Sequence, residues 1–378
     1  MPVPASALRT GGESGRMPDV VRAVDRCVYR ARHYGLSAWL AGAGRLWGLL
    51  IAPDQEAIEP AVRARLRQRF ADLLEQDLAN VDGGYYPRRL LHQLPAVSYL
   101  RAVPEALADL PRVLWRRYNA RYGDLPAGID RTRYPRYYLR TFHWQTDGWL
   151  SERSARLYDL GVEFLFGGTA DIMRRMAIPP LVDALRDRAR PRILDVGCGT
   201  GRFLWQLQQT LPAAKLFGLD LSAPYLRRAA ELLGGNDVSL VNDNAEAMPW
   251  AADHFDAVTS VFLFHELPSD ARRRVMREVW RVLKPGGRFV VSDSAQLSDS
   301  RDIEPVLHRF PASYHEPYYA GYLRDDLGEV MRECGFALEA STPHLVSKVV
   351  VGRKPERPPE RRRRRQQPDE NRKRSERS

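Results

Sequence analysis

Cysteine is scarce in this chain: Cys27, Cys198 and Cys334 are the only three among 378 residues. Three scattered thiols make neither a disulfide framework nor a paired-cysteine zinc site, so a reducing compartment, the cytoplasm, is expected. Lysine is also rare. Five lysines stand against 53 arginines, a bias that a GC-rich genome produces without phosphate recognition. Long apolar runs are absent too. The most apolar stretch, Leu36 to Pro53, has Arg45 at its centre, where a charge is costly in a bilayer. It reads as a buried or interfacial helix, which leaves a peripheral membrane contact through the N-terminal helices open. The first 17 residues, MPVPASALRTGGESGRM, hold no apolar signal core and read as a flexible leader.

The formal net charge of +11 is unevenly placed. From Arg353 to Ser378 there are twelve basic and five acidic residues, so +7 of the total sits in the last 26 residues. That segment has no large apolar side chain to bury, and residues 354–378 are expected to be a disordered Arg-rich tail. The remaining 352 residues carry only +4, which argues against a nucleic-acid partner for the folded part.

Helical periodicity begins near Pro18. Val20, Val21, Val24, Cys27 and Val28 fall near one face. A second run places Leu66, Phe70, Leu73, Leu74 and Leu78 at helical spacing before the Asp82-Gly83-Gly84 break. Prolines then punctuate short helical pieces as far as Pro135. From Arg192, β-branched runs alternate with amphipathic helices: RILDV, KLFGLD, VSLVN, FDAVTSVFLF and RFVVSD read as strands, and ALEAS with LVSKVVVG as a terminal hairpin. Alternation of this kind implies a parallel, doubly wound α/β sheet. The expected division is a leader (1–17), a helical module (18–133), a helical linker or cap (134–180), the α/β domain (181–353) and the tail.

The strongest motif is Asp195-x-Gly197-x-Gly199-x-Gly201, in ILDVGCGTGRF between a strand and a helix. Glycines let a backbone turn approach a ligand closely, and the following helix N-terminus favours an anionic group. A dinucleotide turn would be spaced G-x-G-x-x-G. The G-x-G-x-G spacing with a preceding acid resembles the first motif of class I S-adenosylmethionine-dependent methyltransferases. The resemblance implies a Rossmann-like seven-stranded sheet and S-adenosyl-L-methionine as cofactor. It assigns the cofactor's amino group to Asp195 and the turn to Gly197, Cys198, Gly199 and Gly201. Asp220, at the end of LFGLD, would take the ribose hydroxyls, with Leu221 beside it. VNDNAEAMPW resembles the family's adenine-gripping stretch, with Asn244 and Ala245 in those places and Asp243 as an alternative partner. FDAVTSVFLFHELP, with Phe262, resembles the fourth strand, and VLKPGGRFVVSD the fifth. The matching region runs from about Leu181 to Gly352 and is most similar to the group that includes the quinone-biosynthesis methyltransferases.

Acceptor chemistry is expected just after the fourth strand, where His265 precedes Glu266. It is also expected in SYHEPYYAGY, where Tyr314 joins His265 as a catalytic candidate and His315, Tyr318 and Tyr319 could line a pocket. Tyr138, His143 and Gln145, just upstream of the α/β domain, could line it too. No metal-ligand spacing is present among these residues. The fourth strand lacks the Asn/Asp-Pro-Pro-Tyr/Phe signature of exocyclic-amine methylation. A small apolar or aromatic acceptor, lipid- or quinone-like, fits best. Methylation of RNA or protein with the tail as tether, and cofactor binding without transfer, stay open. The oligomeric state is not legible.

Overall fold

The β-branched runs after Arg192 pair into one sheet in the order β3-β2-β1-β4-β5-β7-β6. The strands are β1 (Arg192–Val196), β2 (Lys215–Asp220), β3 (Val238–Asn242), β4 (Phe255–Val261), β5 (Leu283–Ser294), β6 (Ala337–His344) and β7 (Ser347–Arg353). The first five run parallel, while β7 is antiparallel to both β5 and β6. The terminal hairpin expected from the sequence is therefore present. The computed structural model describes residues 18–51, 58–93, 96–235 and 238–356. The leader, part of the apolar stretch ending at Pro53, and the tail beyond Glu356 lie outside the described residues.

Alternation along the strands feeds two cores. Ile193, Ala257 and Val290 pack on one face with α2 (Pro60–Asp82), α5 (Ala170–Arg175), α6 (Ile178–Leu185), α7 (Arg202–Thr210) and α8 (Ala223–Leu233). Leu194, Val196, Val258 and Val291 pack on the other with α9 (Ser269–Val282), α11 (Tyr319–Tyr322) and α12 (Leu327–Glu333). Each fully buried aliphatic side chain contributes about 1.5–3 kcal/mol. α1 (Asp19–Ile51), α3 (Ala96–Tyr118), α4 (Glu152–Leu165) and α10 (Glu304–Ser313) complete the helices. β1 is the switch point: the chain goes from it towards β2 and later returns to β4 on its other side, leaving a crevice at the strands' carboxyl ends.

Three elements differ from the sequence reading. The valines of α1 are exposed, Val20 at 75% and Val24 at 58%, whereas Tyr29, His33 and Leu40 face inward. The cause is polar docking. The Tyr29 hydroxyl donates to Asp77, which also receives Tyr86 and Arg175, and Arg26, Arg30 and Asp25 pair with Asp82, Glu75 and Arg88. α3 runs unbroken through Pro104 and Pro111. Both prolines are exposed, so water can satisfy the carbonyls they leave unpaired. Residues 134–151 form no α-helix and are irregular apart from a short 3-10 turn at Phe142–Trp144. His143, Trp144 and Asp147 have φ of 52°, 59° and 69°, and Gly148 follows at 56°. Arg116 holds this loop by donating to the Trp144 carbonyl and Thr146.

Lys354, which charge alone assigns to the tail, is anchored in the fold. Its Nζ donates to Asp253 (2.7 Å) and to the carbonyls of Trp280 (2.8 Å) and Leu283 (2.6 Å), and sits 4.1 Å from the Trp280 ring centroid. Lys354→Ala should cost about 2 kcal/mol and lower the melting temperature by a few degrees. Truncation after Glu356 should leave it unchanged. Equal melting of Lys354→Ala and the parent chain would contradict this anchoring.

Candidate active site

The crevice is shaped first by backbone. Gly197, Gly199 and Gly201 all adopt left-handed φ, at 71°, 53° and 77°, a region costly for residues with a Cβ. Their surroundings differ. A Cβ at Gly197 would lie 3.0 Å from Leu263 and one at Gly201 2.9 Å from Ala229, but at Gly199 the nearest atom is 3.9 Å away on Tyr225. Gly201 is thus a packing glycine between α7 and α8, whereas a Cβ at Gly199 would make only an ordinary contact with Tyr225. The Cys198 thiol points into the core, within 2.8 Å of where a Cβ on Gly218 would sit.

Asp220 sits across the turn. Its Oδ2 accepts from the Gly199 amide and its Oδ1 from the Ser222 amide, each at 2.8 Å. The Ser222 hydroxyl, not Asp220, caps α8 by accepting from the Tyr225 amide. Burial still raises the Asp220 carboxyl above its ordinary range, against three backbone donors. Asp195 lies beneath the turn. Its Oδ1 accepts from the Thr259 hydroxyl at 2.8 Å, and burial pushes its carboxyl up to about 7.

One cavity joins Gly197, Gly199, Asp220, Leu221, Asn244, Ala245, Phe262 and Tyr138. Trp149, Tyr158, Tyr225 and Glu266 also line it. Trp149 and Tyr158 belong to the aromatic-rich segment Tyr134 to Asp159, where the sequence points to Tyr158 as a candidate, whereas Tyr225, within an ordinary helix, carries no local signal of a site. Asn244 and Asp243 both reach the cavity, and each also braces its own turn: Asn244 Oδ1 accepts from the Glu246 amide and Asp243 Oδ1 from the Asn244 amide. Phe262 stacks on Phe166 at 5.2 Å with its backbone at φ 55°.

The remaining candidates stand behind this wall or beside it. His265 is buried with Nδ1 2.6 Å from Asp293 Oδ1. Burial opposes its charge, but Asp293 prevails and the imidazole pKa is raised. Tyr319 is buried with its hydroxyl 2.6 Å from Ser294. Gln145 donates to the Tyr225 hydroxyl at 2.8 Å and to Ser154. His315 stacks on Tyr122 at 4.2 Å, and burial lowers its pKa to about 4. Tyr318 crosses Tyr137 edge-on at 6.3 Å. Tyr314 packs on Phe310 and against the His143 ring, at 5.3 and 6.3 Å.

The Asp195 environment has a pH signature. A carboxyl raised to about 7 in the fold stays protonated where the unfolded chain, at 3.8, has already ionised. Its stabilising effect is complete below the unfolded value and is lost as pH rises through about 7. Asp195→Asn removes this titration. The variant should gain on the parent by roughly 2 kcal/mol between pH 5 and pH 8 and then level off. Parallel melting-temperature curves for the two proteins would contradict the assignment.

A family model described as a methyltransferase domain matches residues 193–287. The demethylmenaquinone methyltransferase of Thermus thermophilus is 37% identical over 137 residues, 35% of this chain and 59% of that enzyme. That of Geobacillus kaustophilus is 30% identical over 189 residues, 44% of this chain and 75% of that enzyme. The ubiquinone/menaquinone biosynthesis C-methyltransferase of Methylobacterium nodulans is 36% identical over 143 residues, 36% of this chain and 54% of that enzyme. The chain thus spans between about half and three quarters of these relatives. With the glycine turn, the Asp220 strand end and this likeness together, the chain belongs to the class I methyltransferase family whose cofactor is S-adenosylmethionine.

Proposed function

We propose that the protein methylates a small, apolar or aromatic acceptor of quinone-like chemistry. The observation that carries this reading is the continuity of one cavity: the Gly199 backbone and the Asp220 carboxylate share it with an aromatic wall and with Glu266. The relatives' own names supply the quinone class.

The residues present suit the cofactor. Gly199 leaves room for a ligand against the backbone, and each Asp220 oxygen keeps a lone pair for a ribose hydroxyl after accepting its amide. Asp195, protonated or relieved by a cationic amino group, would lie under the methionine end. Asn244 or Asp243 would meet the adenine amino group. When bound, S-adenosylmethionine supplies a methyl group already activated for in-line displacement. The chain then has to align the acceptor and exclude water. Tyr138, Trp149 and Phe262 provide flat apolar surface for that. His265, engaged by Asp293, acts as a positioning residue. Asp293 also accepts from the Phe264 amide and so fixes the short turn that aims Glu266 at the cavity.

The exposed apolar side chains of α3 suit a surface that meets a lipid-soluble acceptor in its bilayer. Val97, Leu100 and Leu107 on α3 are 61–71% exposed, with exposed Arg101 and Arg112 on the same helix. No helix among the described residues is long and apolar enough to cross a membrane. We assign α1 and α3 a peripheral contact with an anionic bilayer.

With labelled S-adenosylmethionine and reduced demethylmenaquinone in anionic vesicles, label should enter the quinol. Leu100→Glu with Leu107→Glu should slow this reaction at least several-fold and spare a short-tailed, water-soluble analogue. Absence of transfer to every quinol and phenol tried, with cofactor bound, would contradict the acceptor class. An equal loss on both acceptors would contradict the membrane contact.

A further inference from the structure

Beside the cavity, three side chains from distant parts of the chain converge. His143 comes from the irregular loop that follows Pro135, Glu266 from the turn after β4, and Glu316 from the segment between α10 and α11. Their ligand atoms all lie within 4.8 Å of one another. His143 Nε2 is 3.2 Å from Glu266 Oε1 and 3.0 Å from Glu316 Oε1.

We infer that His143, Glu266 and Glu316 form a binding site for one divalent first-row metal ion in the wall of the methyl-donor cavity. The first argument is unmet demand. Glu316 is 3% exposed and Glu266 5%. Among the described residues, neither Glu316 oxygen nor Glu266 Oε2 accepts a hydrogen bond; the partner the two carboxylates share is the single His143 Nε2, with His265 Nε2 3.6 Å from Glu266 Oε1. Buried polar atoms rarely stay unpartnered, and buried carboxylates are normally paired or metal-bound.

The second argument is geometric. Donors about 2.1 Å from a common ion are ~3.0 Å apart at a right angle and ~3.4 Å apart at the tetrahedral angle. Both distances from His143 Nε2 fall in that window, so the imidazole already stands at ligand spacing from each carboxylate. One imidazole with two carboxylates suits Mn²⁺ or Zn²⁺, and the neutral ring nitrogen disfavours Mg²⁺. Three protein donors also leave a position open, the usual arrangement where an ion meets substrate. Of the three, Glu266 lines the cavity, so an ion held there would border the acceptor space through Glu266. On the methyl-transfer reading, on which this last point rests, the acceptor is one that presents an ionisable oxygen, an enol or phenol, next to the methylated atom.

Chelator-treated protein comprising residues 1–378 is titrated with Mn²⁺, followed by electron paramagnetic resonance, and with Zn²⁺, followed by calorimetry. One ion of either metal should bind per chain, and His143→Ala and the isosteric Glu316→Gln should each weaken it at least tenfold. S-adenosylmethionine affinity, measured separately, should be unchanged in both variants. Failure of the parent chain to bind either ion, as a proton shared between Glu266 and Glu316 would produce, overturns the site. So does undiminished binding in the double variant. Loss of S-adenosylmethionine binding in the parent chain overturns the methyl-transfer reading instead, because the metal titration needs no cofactor.

Discussion

The Asp171 carboxylate ties α5 of the helical half to α7 beside the glycine turn. It lies in α5 and receives both Nε and Nη2 of Arg202, the first residue of α7, and Nη1 of Arg174. All three side chains are nearly buried. Burial alone would raise the Asp171 carboxyl, but the two arginines hold it down at about 2. Its neighbour Glu163 is pushed the other way, to about 7, by burial and by Asp171 itself. Removing one member of such a cluster strands a buried charge, a loss of about 3–5 kcal/mol. Arg202 directly follows Gly201, so the clamp fixes where the glycine turn ends. Thr200, on the other side of that glycine, donates to Asp159 in α4 at 2.9 Å. The turn is therefore held from the helical side as well as from the sheet.

This explains why a left-handed turn can be rigid. Glycine is free to leave such a conformation, and each of the three here would lose definition without flanking restraints. The strand end supplies one restraint through the Gly199 amide on Asp220, and the helical half supplies the others. The helices ahead of β1 are thus part of the site's construction. Their packing is continuous with the sheet: Leu73, Leu74 and Leu78 of α2 share a core with Ile193 and Leu204. The result is a cavity with four carboxylates at or under its surface, Asp195, Asp220, Asp243 and Glu266. Burial penalises the charge on the first two, and donors or a cation would restore it. A sulfonium cofactor bearing an amino group and two ribose hydroxyls meets that demand.

The sequence was legible where the determinants are local. Spacing and the family resemblance it carries pointed to the Asp195–Gly201 turn and to Asp220 at the end of β2, and apolar patterning to the strand-helix alternation of the sheet. It misled where burial depends on partners far away. The valines of α1 are apolar and periodic, yet Tyr29 and His33 are the buried side, because Asp77 and its arginine supply polar partners that no pattern within α1 reveals. α3 crosses two exposed prolines, where water can satisfy the carbonyls they leave unpaired. Glu266 and Glu316 stood within sight of His265 and Tyr314, but nothing in their spacing indicated that His143, more than a hundred residues earlier, would close on both. The aromatic wall residues Trp149 and Tyr225 likewise become recognisable only once folded.

The central claim is that the turn and Asp220 hold S-adenosylmethionine. Calorimetric titration of S-adenosylmethionine into the parent chain and into Asp220→Ala tests it directly. The account predicts saturable one-to-one binding to the parent chain and at least a tenfold weaker affinity in the variant, since two charge-assisted hydrogen bonds are lost. Equal affinities, or no binding to the parent chain, would contradict it.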